Sequence, residues 1–233
     1  IIAFSSEQSI REIGYSFWPT QWSTATFAYA FGKLPQIWRS FFNSVFITVV
    51  GTLASTTMCA LYSYALYRPD FKFRNFFTFF SFFTMIFGGG LVPTYVISTK
   101  VLGLGENYAA LIIPLLVSPF NIIIMRTFFQ SSVPMDLIEA ATIDGANDLT
   151  ILVRIILPLS MPILATLTLF YAVSYWNIWF DAIMYLNSNR HFPLQLVLRD
   201  IVQSVDMTYV GGGGGDFTMS DTTIQSVRLA TIV

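Results

Sequence analysis

The sequence predicts an all-α protein, a polytopic membrane helical bundle. Three observations carry this. Only 11% of the residues are charged, against about 25% in ordinary soluble domains. Hydrophobic residues make up 55% and aromatics 17%, with a mean hydropathy of +0.64. Four uncharged or nearly uncharged runs approach the ~20 residues that a helix needs to cross ~30 Å of hydrocarbon. Core helices of a large soluble protein are the competing reading, but too little polar sequence remains to coat four such cores.

In chain order, Ile1-Ile2-Ala3-Phe4 reads as the tail of an apolar segment. Residues 5–36 form an external segment whose Tyr15, Trp18 and Trp22, with Trp38 just beyond, suit rings at a membrane interface. Spans follow at about 41–67, 76–99, 107–125 and 155–186. Gly88-Gly89-Gly90 and Pro93 interrupt the second, and Pro114 and Pro119 the third. Membrane helices tolerate such breakers when neighbours satisfy the freed backbone groups. For the glycines, close helix packing is the preferred reading, with local unwinding as the alternative. The link "RPDFKFRN" carries Arg68, Lys72 and Arg74 and is therefore placed in the cytoplasm. Alternation puts residues 100–106 outside, 126–154 inside and a long loop, 187–223, outside. Residues 224–233 read as the start of another span, so the whole chain, 1–233, is one membrane domain with an incomplete span at each end.

Several function classes find no support. A net charge of −1 offers no basic field for nucleic acid. Cys59 has no second cysteine to pair with, and His191 is the single histidine. His191, Asp181 and Asp200 form no recognisable catalytic constellation. "GGGGGDFTMSD" (Gly211 to Asp221) lacks the Lys-Ser/Thr of a phosphate loop, and no Gly-x-x-x-x-Gly-Lys-Ser/Thr occurs elsewhere. It reads as a flexible linker. A stand-alone ion-coupled secondary transporter is the alternative function, but no internal repeat and no midplane charges support it. The chain is expected to hold no catalytic residue, no metal and no cofactor of its own.

The stretch from 131 to 158 stands apart from its greasy surroundings. Ser131 or Ser132 reads as the cap of a short helix, with Pro134 in its first turn, where a missing N–H costs little. Asp136 and Glu139 follow early, where carboxylates favour the positive helix end. Leu137, Ala140, Ala141 and Asp144 share one face by helical spacing. Gly145 supplies the stop, and Asn147 or Asp148 caps a second helix ending near Leu157-Pro158. The two small alanines suit close approach by another surface, and Glu139 offers a charged anchor.

Glu139-Ala140-Ala141, three residues, Gly145, nine residues, then Ile155-x-Leu157-Pro158 resembles the EAA loop of permease subunits from ATP-binding-cassette importers. "FFNSVFITVVGT", "GGGLVPTY" and "YWNIWFDAIMYL" extend the resemblance over nearly the whole chain, to the carbohydrate-uptake branch similar to maltose-type and alginate or complex-oligosaccharide permeases. The resemblance implies six spans, of which the first and last are incomplete here. It implies that Glu139, Ala140, Ala141, Asp144, Gly145, Leu157 and Pro158 form a coupling element docked on an ATPase. The implied partners are two ATPase subunits holding ATP and Mg, a second homologous permease, an external solute-binding protein and a carbohydrate, in the bacterial cytoplasmic membrane.

In the last full span, Ser174, Asn177 and Asp181 fall at i, i+3 and i+7 and form one polar stripe on a continuous helix. Polar groups at membrane depth usually face the bundle interior or a wet cavity. Tyr171, Tyr175, Trp176 and Trp179 add rings nearby. Tyr175, Trp176, Asn177 and Asp181 are the substrate-path candidates, since sugars stack on rings and bond to amides and carboxylates. Helix-to-helix bonding by Ser and Asn is the competing role.

Overall fold

The computed structural model describes residues 35–210. The described residues are helices and turns without a strand. Helix α1 is Pro35–Tyr67, α2 Arg74–Ile86 and α3 Leu91–Val96, the last continued by a π-helical turn at Ile97–Val101. Then come α4 (Ala109–Ile112, tightening to a 3-10 turn at Ile113–Leu115), α5 (Pro119–Ser132) and α6 (Met135–Ile143). Helix α7 (Asp148–Ile151) runs through a π-helical turn, Leu152–Ile156, into α8 (Leu157–Leu159). Helices α9 (Met161–Trp176), α10 (Trp179–Tyr185) and α11 (Leu194–Val210) complete the order.

Among the described residues one helix, Gln36–Tyr67, is long and apolar enough to cross a membrane unaided. Three bent pairs also pass if each counts as one span: Arg74–Ile86 with Leu91–Val101 at 117°, Ala109–Leu115 with Pro119–Ser132 at 46°, and Asp148–Leu159 with Met161–Trp176 at 87°. Four spans were expected, but their outlines differ. The first begins at Pro35 rather than Phe41. The third runs on to Ser132, so Ser131 and Ser132 end one helix and do not cap the next. The external loop expected at 187–223 contains α11. The expectations for residues 1–34 and 211–233, including the first tryptophans and the glycine run, lie outside the described residues.

The glycines of the second span also take a different role from the preferred one. Among the described residues no neighbouring atom lies within 4 Å of a Cβ built at Gly88 or Gly90, so no close approach to another described helix is seen there. Gly90 has φ +85°, a conformation costly for any residue with a Cβ, and the helix breaks there.

The described residues divide into two compact units, residues 35–44 with 188–210, and Val45–Asn187. In the first, Asn43 donates to the carbonyls of Arg190 and Phe192, both at 3.1 Å. Ser44 Oγ accepts the Leu194 N–H at 2.7 Å, satisfying one of the orphan donors at the start of α11.

In the second unit the usual soluble pattern is inverted. Ser55, Ser63, Ser81 and Ser98 are buried, while Phe76, Phe79, Phe80 and Phe83 of α2 are exposed. Lipid is as apolar as these rings, so helices associate through packing and polar bonds. The Tyr175 hydroxyl shows how. It donates to the Ile112 carbonyl at 3.0 Å and takes a bond from Ser55 Oγ at 2.8 Å, joining α1, α4 and α9. Its ring lies over Gly51, where an added Cβ would sit 2.7 Å from ring carbons. Ser63 Oγ donates to the Ile122 carbonyl at 3.1 Å and brings in α5.

Tyr175→Phe keeps the ring and removes both bonds; the expected loss is about 1 kcal/mol of stability in detergent, read from the thermal unfolding midpoint. Gly51→Val should lower the midpoint further, because the ring must move. An unchanged midpoint for both variants would show that this three-helix contact contributes nothing.

Candidate functional site

The segment after α5 is shaped by three local signals. Pro134 is the residue before α6, in extended conformation with ψ 136°, rather than a residue of its first turn. Asp136 stands in that turn, where a carboxylate is favoured. At the other end, Ala146 N–H bonds to the Ala141 carbonyl and Gly145 N–H to the Thr142 carbonyl, both at 3.0 Å. This paired return, with Gly145 at φ +80°, satisfies the last carbonyls and stops the helix. Asn147 Oδ1 then accepts the Thr150 N–H at 2.8 Å and caps α7, as expected of Asn147 or Asp148.

Helix α6 turns one side chain inward and most of the others out. Ile138 is fully buried. Leu137, Glu139, Ala140, Ile143, Asp144 and Gly145 are exposed and Ala141 is half-buried. The expected face of Leu137, Ala140, Ala141 and Asp144 is therefore presented outward, with Ile143 at 86% exposure beside it. This short helix thus leaves small residues and apolar side chains on its outward face rather than in the core. Among the described residues no group of three or more His, Cys, Asp or Glu comes together here or elsewhere to hold a metal ion.

The helix beyond α7 leads to the bundle through Pro158. That residue has no N–H and clashes with a regular upstream turn, and the widened turn Leu152–Ile156 lies just before it. Leu157 and Pro158 start the last helical turn, and Ser160 ends it at φ −103°, ψ 16°. The chain bends there by 87° into α9.

The segments flanking α6, at Val133 and Asp148, are bonded to the end of α1 and to Arg68 just after it, which the sequence did not reveal. The Tyr67 hydroxyl donates to the Val133 carbonyl at 2.9 Å and also lies 3.9 Å from Met135 Sδ. The Tyr64 hydroxyl donates to Asp148 Oδ1 at 3.3 Å, and Arg68 Nη2 meets the same oxygen at 3.1 Å and Asp70 at 3.0 Å. Arg126 Nε donates to the Leu66 carbonyl at 3.3 Å, a cation at a helix C-terminus.

The second group of expected residues does not assemble as a stripe. Helix α9 ends at Trp176 and α10 begins at Trp179, so Asp181 is not on the helix that carries Ser174. The break is local: Asn177 spends its N–H and its Nδ2 on the Val173 carbonyl, at 3.1 and 2.9 Å, and Trp179 N–H turns back to the Asn177 carbonyl at 2.9 Å. Ser174 Oγ likewise bonds its own helix at the Phe170 carbonyl. Tyr175 is fully buried as the three-helix clamp and does not line a path in this structure. Trp176 and Asp181 are half-buried and Asn177 is exposed.

The family described as the binding-protein-dependent transport system inner membrane component matches residues 56–210. This chain belongs to that family. It is an ABC transporter permease, a membrane subunit without an ATPase site of its own. It is similar to the Bacillus subtilis polygalacturonan/rhamnogalacturonan transport system permease protein YtcP, with 40% identity across 99% of this chain and 79% of that protein. The Bacillus subtilis protein LplC is 38% identical over 99% of this chain and 77% of its own length. Among solved structures, a bacterial ABC transporter involved in importing the acidic polysaccharide alginate superposes with a TM-score of 0.84 at 30% identity, covering 98% of this chain and 81% of that one.

Gly145→Val places a β-branched residue at positive φ, the most strained choice for that region. The return turn after α6 is expected to open, by about 1–2 kcal/mol. Faster amide hydrogen exchange at Ala146 and Gly145's neighbours in the assembled permease would report it; exchange equal to that of the parent would show that the turn is held by other contacts.

Proposed function

We propose that this chain is a permease subunit of an ATP-driven importer that carries an oligosaccharide into the cell, driven through the segment 131–158. The observation that carries it is the outward-facing α6, with Ala140 and Ala141 beside Glu139, in a chain of this family. The complex has two ATPase subunits holding ATP and Mg, and one of them grips Glu139, Ala140, Ala141, Asp144 and Gly145 through a surface complementary to that helix. Leu157 and Pro158 pass the motion on at the bend. A second homologous permease completes the path, and an external solute-binding protein delivers the cargo. The docked helix must bind differently in the two states of the ATPase, since a ligand without differential affinity shifts no equilibrium.

The named relatives support a substrate class. One is named for polygalacturonan/rhamnogalacturonan transport, and the solved neighbour is involved in the import of the acidic polysaccharide alginate. Oligosaccharides rich in uronic acid are the cargo this points to. Trp176 and Asn177 remain the residues offered to it, with Asp181 second.

Glu139→Lys reverses the charge beside the docking alanines. It should cut ATP-driven uptake at least about tenfold while membrane insertion and assembly of the two permeases persist, as measured in proteoliposomes with the whole complex. Normal uptake by that variant, or a purified complex without any ATPase, would sink the assignment. Trp176→Ala and Asn177→Leu should weaken the transport affinity for mixed oligogalacturonides by about 1–2 kcal/mol each without altering ATP hydrolysis. Unchanged affinity and flux in both would remove those residues from the path.

A further inference from the structure

Helix α6 is fastened twice to one place. Before it, the buried Tyr67 hydroxyl holds the Val133 carbonyl. After it, Tyr64 and Arg68 converge on Asp148 Oδ1. All three side chains leave the last turn or so of α1 and its first following residue, so one helix end spans both flanks of the exposed segment. The two fastenings differ in kind. The Tyr67 bond is shielded, whereas Asp148 is 69% exposed in its ion pair with Arg68, where water competes and the pair can open and close. From this end α1 reaches the other helices through Ser63 to the Ile122 carbonyl and Ser55 to the Tyr175 hydroxyl.

We propose that Tyr67 and Arg68 are positioning residues that lock the docking helix to α1, so that its displacement enters the bundle through α1 as well as through the bend at Ser160. The inference rests on the function proposed above and adds the route. With Tyr67 as a fixed pivot and Arg68–Asp148 as a releasable latch, α6 can tilt about its start without leaving α1. An attachment through Ser160 alone would move α9 and leave α1 behind.

The test uses the whole complex, with both permeases, the ATPase subunits and the binding protein, and needs no knowledge of the sugar. Cys59→Ala removes the single native thiol, and Val173→Cys places a new one at an exposed position in the last turn of α9. Labelling by a water-soluble maleimide is timed with and without ATP and vanadate. In this parent, ATP is expected to change the labelling rate. In Tyr67→Phe and in Arg68→Met the ATP-dependent change should shrink at least about fivefold, with the ATPase still bound and still hydrolysing ATP. Arg68→Lys should recover part of it, because the charge is restored without the planar fork. A full ATP response in both variants overturns the proposal. Loss of assembly in Tyr67→Phe also overturns it, since that would give the hydroxyl a folding role. A parent with bound ATPase and no ATP response overturns the lever itself; a parent without bound ATPase overturns the function beneath it.

Discussion

Inside a bilayer a helix gains little by hiding leucine from lipid, so what orders this bundle is the need to satisfy polar groups and to fill close contacts. Helix α1 is where that constraint is met most often. It gives Ser55 to Tyr175, Ser63 to the Ile122 carbonyl, Tyr67 to the Val133 carbonyl and Gly51 as the flat bed for an aromatic ring. It is also the one described helix able to cross unaided. The broken helices lean on the unbroken one, and the segment that faces a partner is attached to its end.

The breaks obey the same rule. A membrane helix can stop only where the freed groups find partners. At Ser160 the N–H still reaches the Ile156 and Leu157 carbonyls, at 3.0 and 3.1 Å, so the 87° bend keeps that backbone donor satisfied, while the buried Ser160 hydroxyl finds no partner among the described residues. Before α5, Ser118 Oγ lies 3.5 Å from the Asn121 N–H, and Pro119 brings no donor to satisfy. At Asn177 the side-chain amide folds back on its own helix. Each of these three breaks is built from a small polar residue, a proline or both, whereas the one at Gly90 rests on glycine.

What the sequence disclosed follows from how local each signal is. Helix α6 was legible because Pro134 and Gly145 act within a few residues of where they stand, and the structure moves only the cap, from Ser131 or Ser132 to Pro134. The break after Trp176 was not legible: "YWNIWF" contains neither glycine nor proline, and only the back-bonding of Asn177 turns the chain. Helix α11 was hidden because its residues were assigned by orientation alone, as part of a loop. The fastening of α6 to α1 joins residues 66 and 84 positions apart, and no pattern in one sequence announces such a pairing.

The Arg68–Asp148 pair carries a topological consequence. Two groups 3.1 Å apart cannot lie on opposite sides of a bilayer. The chain between them must therefore traverse the membrane an even number of times, whatever the paths of the pieces broken at Gly90 and Pro119. Likewise the Asn187 N–H meets Glu106 Oε1 at 3.0 Å, and Glu106 N–H the Tyr185 carbonyl at 3.3 Å, so these two links share a side as well. Two short contacts thus fix the parity of the winding. The first couples the broken pairs at Gly90 and Pro119, the second those at Pro119 and Ser160, so either all three cross or all three dip in and return on their own side.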